Sequence, residues 1–240
     1  MAYPHLPTAI RAILDGVRHI GYVAGLPPVG ALRLGAPWWD RAYSNGTNDR
    51  YARDGGEAHR LAVTAGLALH DRQWPSVLDL GCGTGQLLPH VRRFPVRSYT
   101  GVDFSAAALD VARSAPAQDV AVPGAAGSAL TTVSWVHADL DTWHPTEPAD
   151  VLMMSEVLYY LARPADVLHR LFNALRPGGV AVFSMWEDGR RWRQWRTITR
   201  CAREHDASST ADVRVRKGRL TWRICRFDVA MSSSGFPLVP

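Results

Sequence analysis

Cysteine is scarce in this chain. Of 240 residues only Cys82, Cys201 and Cys225 are cysteines, an odd number without metal-ligand spacing, so no metal site is expected and a reduced, cytoplasmic setting follows. Long apolar runs are missing as well. No stretch is long enough to span a bilayer, and Arg11, Asp15 and Arg18 interrupt the N-terminal segment where a secretory leader needs a continuous apolar core. A soluble protein without a membrane partner is expected. Nor is there a large excess of one charge. The net charge of +5 comes largely from arginine clusters, and it favours an anionic acceptor without demanding nucleic acid; a solvated basic face is the alternative. No dedicated RNA-binding module is visible. The length suits one α/β domain carrying extensions.

What is present concentrates in Val77 to Leu88, Val-Leu-Asp-Leu-Gly-Cys-Gly-Thr-Gly-Gln-Leu-Leu. Val77 to Leu80 are mostly β-favouring and run directly into Gly81, Gly83 and Gly85; Leu87, Leu88 and Val91 then fall on one helical face, with Pro89 in the first turn. The pattern reads as strand, tight turn, helix. Alternating glycines allow positive φ and let a ligand lie against bare main chain. Nicotinamide, flavin and phosphate sites use similar turns, so the loop alone does not select a cofactor.

The following segments narrow the choice. Ser98 to Val102 reads as a second strand ending at Asp103, a carboxylate placed to accept both hydroxyls of a cofactor ribose. A third strand, Val133 to His137, leads into Ala138-Asp139-Leu140, where a carboxylate and nearby backbone N–H can bind an adenine edge. The fourth, Asp150 to Ser155, is nearly continuous in apolar residues, as a central parallel strand buried on both faces should be, and Glu156 follows it. Pro164 opens a helix through Val167, Leu168, Leu171 and Leu175, which Arg176-Pro177-Gly178-Gly179 stops before strand five, Val180 to Met185. The order is βαβα throughout.

The flanks carry other signals. Thr8 to Ala24 has the spacing of an amphipathic helix that packs on the domain, lies over the active site or meets another subunit. Trp38-Trp39-Asp40-Arg41-Ala42-Tyr43, Tyr51 and a helix from about Glu57 to Leu69 follow. The aromatics either form a lid suited to a sulfonium or an aromatic acceptor, or anchor the N-terminal helices. Ser105 is placed to cap a helix through Ala106, Leu109 and Ala112, and Ala115 to Ser128 reads as a long variable loop. Arg190, Arg191, Arg193, Arg196, Arg200 and Arg203 share a helix with Trp192 and Trp195, either a solvated face or a surface for an anionic or aromatic partner. Asp212 to Arg216 and Leu220 to Val229 suggest a closing antiparallel hairpin around Lys217-Gly218, and Met231 to Pro240 a frayed tail. The expected division is a helical extension or lid over 1–70, a cofactor-binding core over 71–230 and a tail over 231–240.

Val77 to Leu88, Gly101-Val102-Asp103, Ala138-Asp139, Ser155-Glu156-Val157-Leu158-Tyr159-Tyr160-Leu161 and Leu175-Arg176-Pro177-Gly178-Gly179 stand in the order found in class I S-adenosylmethionine-dependent methyltransferases, which the chain resembles over roughly residues 70 to 230. Within them, Glu-Val-Leu-Tyr-Tyr-Leu resembles the nodulation-factor N-methyltransferases and related bacterial small-molecule enzymes. The resemblance implies a doubly wound, mostly parallel seven-stranded α/β sheet with one antiparallel strand inserted by the last hairpin. It also implies S-adenosyl-L-methionine as cofactor, held by Asp103 at the ribose and Asp139 at the adenine. The expected contact set is Asp79, Gly81, Cys82, Gly83, Gly85, Asp103, Phe104, Ala138, Asp139, Leu140, Ser155 and Tyr43. Glu156 and Tyr43 are the catalytic candidates, with Glu156 removing a proton from the acceptor or instead binding cofactor or capping the next helix. The Asn/Asp-Pro-Pro-aromatic motif of many enzymes that methylate amino groups of nucleic acids and proteins is absent, and Ser155-Glu156 stands there instead. That favours a small-molecule acceptor over nucleic acid, on a monomer or homodimer.

Overall fold

The structure is a computed structural model that describes residues 36–44, 56–115, 130–187, 191–218 and 220–231. The expected helix over Thr8 to Ala24, Tyr51, Arg190, nearly all of the 115–128 loop and the tail beyond Met231 lie outside the described residues. In chain order the elements are α1 (Ala36–Ser44), α2 (Gly56–Leu69), β1 (Ser76–Leu80), α3 (Leu88–Val91), β2 (Val96–Asp103), α4 (Ala106–Ser114), β3 (Leu130–His137), β4 (Ala149–Ser155), a 3-10 turn (Leu158–Tyr160), α5 (Pro164–Asn173), β5 (Leu175–Trp186), α6 (Trp192–Glu204), β6 (Ala207–Lys217) and β7 (Leu220–Val229).

The strands form one seven-stranded sheet in the order β3-β2-β1-β4-β5-β7-β6. The first five run parallel, while β7 pairs antiparallel with both β5 and β6, so the hairpin inserts its second strand between its first strand and the sheet. Alternation along the central strands feeds two separate cores. Leu78, Leu80, Leu152, Met154, Ala181 and Phe183 point to the side covered by α5 and α6. Val77, Val151, Met153, Val180 and Val182 point to the side where Leu61, Ala65, Ala68 and Leu69 of α2 pack with Val91 of α3. Both faces being covered explains why these strands are mostly apolar, with Asp79 and Ser184 as buried polar exceptions.

Local chemistry fixes the ends of the helices. Ser105 accepts a bond from the Ala108 N–H at 3.2 Å and so caps α4, as its position suggests. Pro164 occupies the first turn of α5, where its missing N–H costs nothing. That helix ends at Asn173, so Leu175 is not its last apolar residue. Leu175 instead begins β5 opposite Ala149, ahead of a bulge that accommodates the Arg176-Pro177-Gly178-Gly179 segment inside the strand. At the end of α2, the buried Arg226 of β7 donates to the Leu67 carbonyl at 2.8 Å and to both oxygens of Asp71 at 3.0 and 2.7 Å. This pins α2 across the sheet at the edge away from the glycine loop.

Candidate functional site

β1, β2 and β4 end side by side, and the loops that leave them define a cleft. Gly81 follows β1, Asp103 ends β2, and Ser155 and Glu156 stand at the end of β4. The cleft is lined by Trp39, Tyr43, Gly81, Asp103, Phe104, Ala138, Asp139, Leu140, Ser155, Glu156, Val157, Tyr160 and Leu161, and encloses about 140 Å³. Ligand pockets commonly reach about 300–1,000 Å³. Among the described residues the cleft is smaller than that, and its cover is aromatic.

The glycine turn works on two sides. Gly81 has φ of +71°, and a Cβ there would lie 2.2 Å from Val157, so the turn after β1 can pass under the 156–160 segment only as glycine. Gly85 has φ of +74° and packs away from the cleft, where a Cβ would meet the Trp135 ring at 2.5 Å. Gly83 lies beneath Tyr43, whose hydroxyl would be 2.9 Å from a Cβ. Its N–H donates to Asp103 Oδ2 at 2.8 Å. The second oxygen, Oδ1, accepts from the Ser105 N–H at 2.9 Å. Asp103 thus ties the glycine turn to the cap of α4. Burial pushes its carboxyl upward against the backbone hydrogen bonds from Ser105, Gly83 and Phe104, and the carboxyl also lines the cleft as an acceptor for a ligand.

Asp79 is placed differently from the expectation. Its parity on β1 sends the side chain to the α2 face, where the Tyr99 hydroxyl donates to Oδ2 at 2.5 Å. Burial raises this acid to about 7, against the Tyr99 hydrogen bond. Cys82 is buried as well; its thiol rests under the turn, 2.9 Å from where a Cβ on Gly101 would stand. Burial, with Asp79 and Asp103 nearby, holds that thiol well above its ordinary range, so it stays protonated. Asp79, Cys82 and Gly85 therefore support the loop from beneath and do not line the cleft. Gly81, Asp103, Phe104, Ala138, Asp139, Leu140, Ser155, Glu156 and Tyr43 do line it, and Gly83 reaches it only under Tyr43.

Glu156 is a non-glycine residue with φ of +62°. A side chain in that region costs of order 1–3 kcal/mol and persists only where the surroundings over-determine it. Here the Glu156 N–H donates to the Ser184 carbonyl of β5 at 2.8 Å, and the Tyr159 hydroxyl donates to Oε2 at 2.5 Å. The guanidinium of Arg191, at the start of α6, stacks 4.2 Å from the centre of the Tyr159 ring. Trp39 stands edge-on to Tyr160 at 5.1 Å and 6.0 Å from Tyr43. Tyr160 in turn lies 4.5 Å from Tyr159.

Several members of this arrangement escape sequence reasoning. Asp40 of α1 accepts from the Ser105 hydroxyl at 2.6 Å and the Ala107 N–H at 3.3 Å, which latches the aromatic cover to the start of α4. Only the Asp next to Trp39 hints at it. Asp141 accepts from the Ala162 and Arg163 N–H groups and so fixes the stretch after Tyr160; its signal is the Asp139-Leu140-Asp141 doublet. Arg60 is a buried cation on α2 that donates to Ser184 Oγ at 3.4 Å.

The site suits a nucleoside cofactor. The glycine turn leaves main chain bare, Asp103 and Asp139 offer acceptors to hydroxyl and amino groups, and Ser155 Oγ is buried with no hydrogen-bond partner among the described residues. Comparison with known proteins agrees. A family model described as a methyltransferase domain matches residues 50–214. The trans-aconitate 2-methyltransferase of Azoarcus sp. (strain BH72) is 34% identical over 154 residues, which is 62% of this chain and 51% of that protein. That of Streptomyces coelicolor is 28% identical over 176 residues, 66% of this chain and 53% of its own. The chain thus spans about half the length of these curated relatives. Among solved structures, N-methyltransferase NodS from Bradyrhizobium japonicum WM9 in complex with S-adenosyl-L-homocysteine superposes with a TM-score of 0.63 at 21% identity, covering 81% of this chain and 97% of that one.

Proposed function

The chain belongs to the class I S-adenosylmethionine-dependent methyltransferases, and from that premise we propose that it methylates an amine nitrogen or hydroxyl oxygen of a small molecule held between Tyr43 and Glu156. The observation that carries the reading is that both residues line the cleft already bounded by Asp103 and Asp139. S-adenosylmethionine supplies an electrophilic methyl group. The protein's own task is to align an acceptor in line with it, exclude water and take up a proton.

Asp103 would hold the ribose hydroxyls, Asp139 the adenine edge and the glycine turn the remaining backbone of the cofactor. Tyr43, Trp39 and Tyr160 would close over it. Glu156 accepts the acceptor's proton at Oε1 or Oε2, with the Tyr159 hydroxyl fixing the carboxylate's direction. The chemistry of the wall supports an amine or hydroxyl. Among the described residues, the charged side chains of the cleft are Asp103, Asp139 and Glu156, all acidic. With Asp103 and Asp139 given to the cofactor, Glu156 is the charged group left for the acceptor among the described residues, and it disfavours an anion such as the trans-aconitate named for the curated relatives and suits a neutral or cationic acceptor, the class implied by the name of NodS.

The arginine-rich face of α6 stands apart from the cleft. Trp192, Arg193, Trp195, Arg196, Arg200 and Arg203 line a separate open groove that shares no residue with the cleft. Arg193 and Arg196 already stack on Trp192, and Arg223 on Trp195. The test is a mass-spectrometric screen of the purified chain with S-adenosylmethionine. Its panel holds small amines, alcohols and carboxylates, trans-aconitate among them, with RNA as a further substrate. A gain of one methyl on amines or alcohols is expected. Transfer confined to carboxylates or to RNA would overturn the acceptor class.

A further inference from the structure

Away from the cleft, α5 and α6 bring three metal-ligand atoms together. His169 Nε2 lies 3.6 Å from Cys201 Sγ and 3.3 Å from Glu204 Oε2, and the three ligand atoms all fall within 4.8 Å of one another. We propose that His169, Cys201 and Glu204 form a divalent-cation site that takes zinc and clips α5 to α6.

The spacing matches the metal. With Zn–S near 2.3 Å and Zn–N and Zn–O near 2.0–2.2 Å, tetrahedral geometry separates sulfur from nitrogen by about 3.5 Å and nitrogen from oxygen by about 3.4 Å. The two observed separations are those of ligands around one ion. The sequence hides the site because one ligand comes from another helix. Cys201 and Glu204 are three residues apart on one face of α6, and His169 faces them from α5.

The second ring nitrogen supports the same assignment. His169 Nδ1 lies 3.0 Å from His205 Nε2, and the two rings are 5.3 Å apart. A proton on Nδ1 donated to His205 leaves the Nε2 lone pair directed at Cys201 and Glu204. A metal-bound imidazole commonly gives its other N–H to an outer partner, and His205 can accept it here. Arg200 stands beside the cluster, with Nε 4.0 Å from Glu204 Oε1 and its side chain also hydrogen-bonded to Cys201, so the ion must displace it from the sulfur. On binding, the Cys201 thiol gives up its contact with the Ala165 carbonyl and releases its proton to solvent. Water completes the fourth position. His169 and Glu204 are partly exposed, so the ion has a route in.

The test uses the full chain, stripped with chelator and titrated with Co²⁺ as a spectroscopic probe for zinc. A thiolate-to-cobalt charge-transfer band with intense visible bands is expected, saturating at one equivalent and bleached by Zn²⁺. Cys201→Ser should lose the charge-transfer band. In case that buried substitution impairs folding, His169→Gln and Glu204→Gln, at partly exposed positions, should each weaken Co²⁺ binding tenfold or more. No charge-transfer band in the parent chain, or unchanged affinity in both Gln variants, would overturn the site.

Discussion

Glu156 is held in a left-handed backbone conformation by β5 on one side and Tyr159 on the other, at the mouth of the cleft. A carboxylate kept there at an energetic cost fits a role in proton removal better than a role in folding. Glu156→Gln should therefore lower kcat by roughly 10²–10⁴ while cofactor affinity and Tm stay unchanged. Loss of cofactor affinity with kcat retained would make it a binding residue instead. Asp79 shows the opposite case, an acid whose role is structural. Its folded pKa of about 7 lies above the ordinary aspartate value of 3.8, so between those values the unfolded chain loses this proton first. Its contribution therefore makes the fold less stable as pH rises through that window. Asp79→Asn removes this slope. Urea unfolding at pH 5 and pH 7 should show the parent chain losing more stability than the variant, by at most about 3 kcal/mol; parallel losses would contradict the assignment. Asp79 and Asp103 look alike in the sequence, each an acid in the last two residues of its strand and two positions from a glycine. What separates them is strand parity and the Tyr99 hydroxyl, which comes from the neighbouring strand.

At the scale of elements, the cover α1 is held by Asp40 at the N-terminal end of α4, where an anion is favoured by exposed backbone N–H groups and by the helix dipole. Bonds from neutral groups to a charged acceptor contribute about 1.5–3 kcal/mol. Asp40→Ala should raise amide exchange over residues 36–44 by tenfold or more and leave exchange in β1 and β4 untouched. Unchanged protection in α1 would show that the aromatic contacts alone hold it. A cleft of about 140 Å³ under this aromatic cover makes movement of α1 the expected route by which a nucleoside enters. The aromatic stretch of α1 was legible in the sequence as a candidate cover, but its latch was not, because Asp40 and Ser105 are 65 positions apart. Leu175 was misread for a similar reason. Its helical spacing from Leu171 is real, yet pairing with Ala149 draws it into β5.

At the scale of the molecule, the parallel strands deliver their C-terminal ends to one edge, and three of those ends supply Gly81, Asp103 and Glu156 to a single cleft. The sheet was legible because its period-two and period-3.6 patterns alternate without conflict and the closing hairpin carries its own turn. The loop acids were legible because a doubly wound sheet presents strand-end residues to ligands. Less legible was the division of labour within the glycine turn, which depends on Trp135 from β3 and Tyr43 from α1 packing on opposite sides. No helix among the described residues is long and apolar enough to cross a membrane.

The central claim is that this cleft holds S-adenosylmethionine through Asp103, and calorimetry with S-adenosyl-L-homocysteine on the parent chain and on Asp103→Ala tests it most directly. With the circular dichroism of the two proteins matched, loss of charge-assisted hydrogen bonds to the ribose should weaken binding by roughly ten- to a hundredfold. Equal affinity of the two proteins for that ligand would contradict the claim.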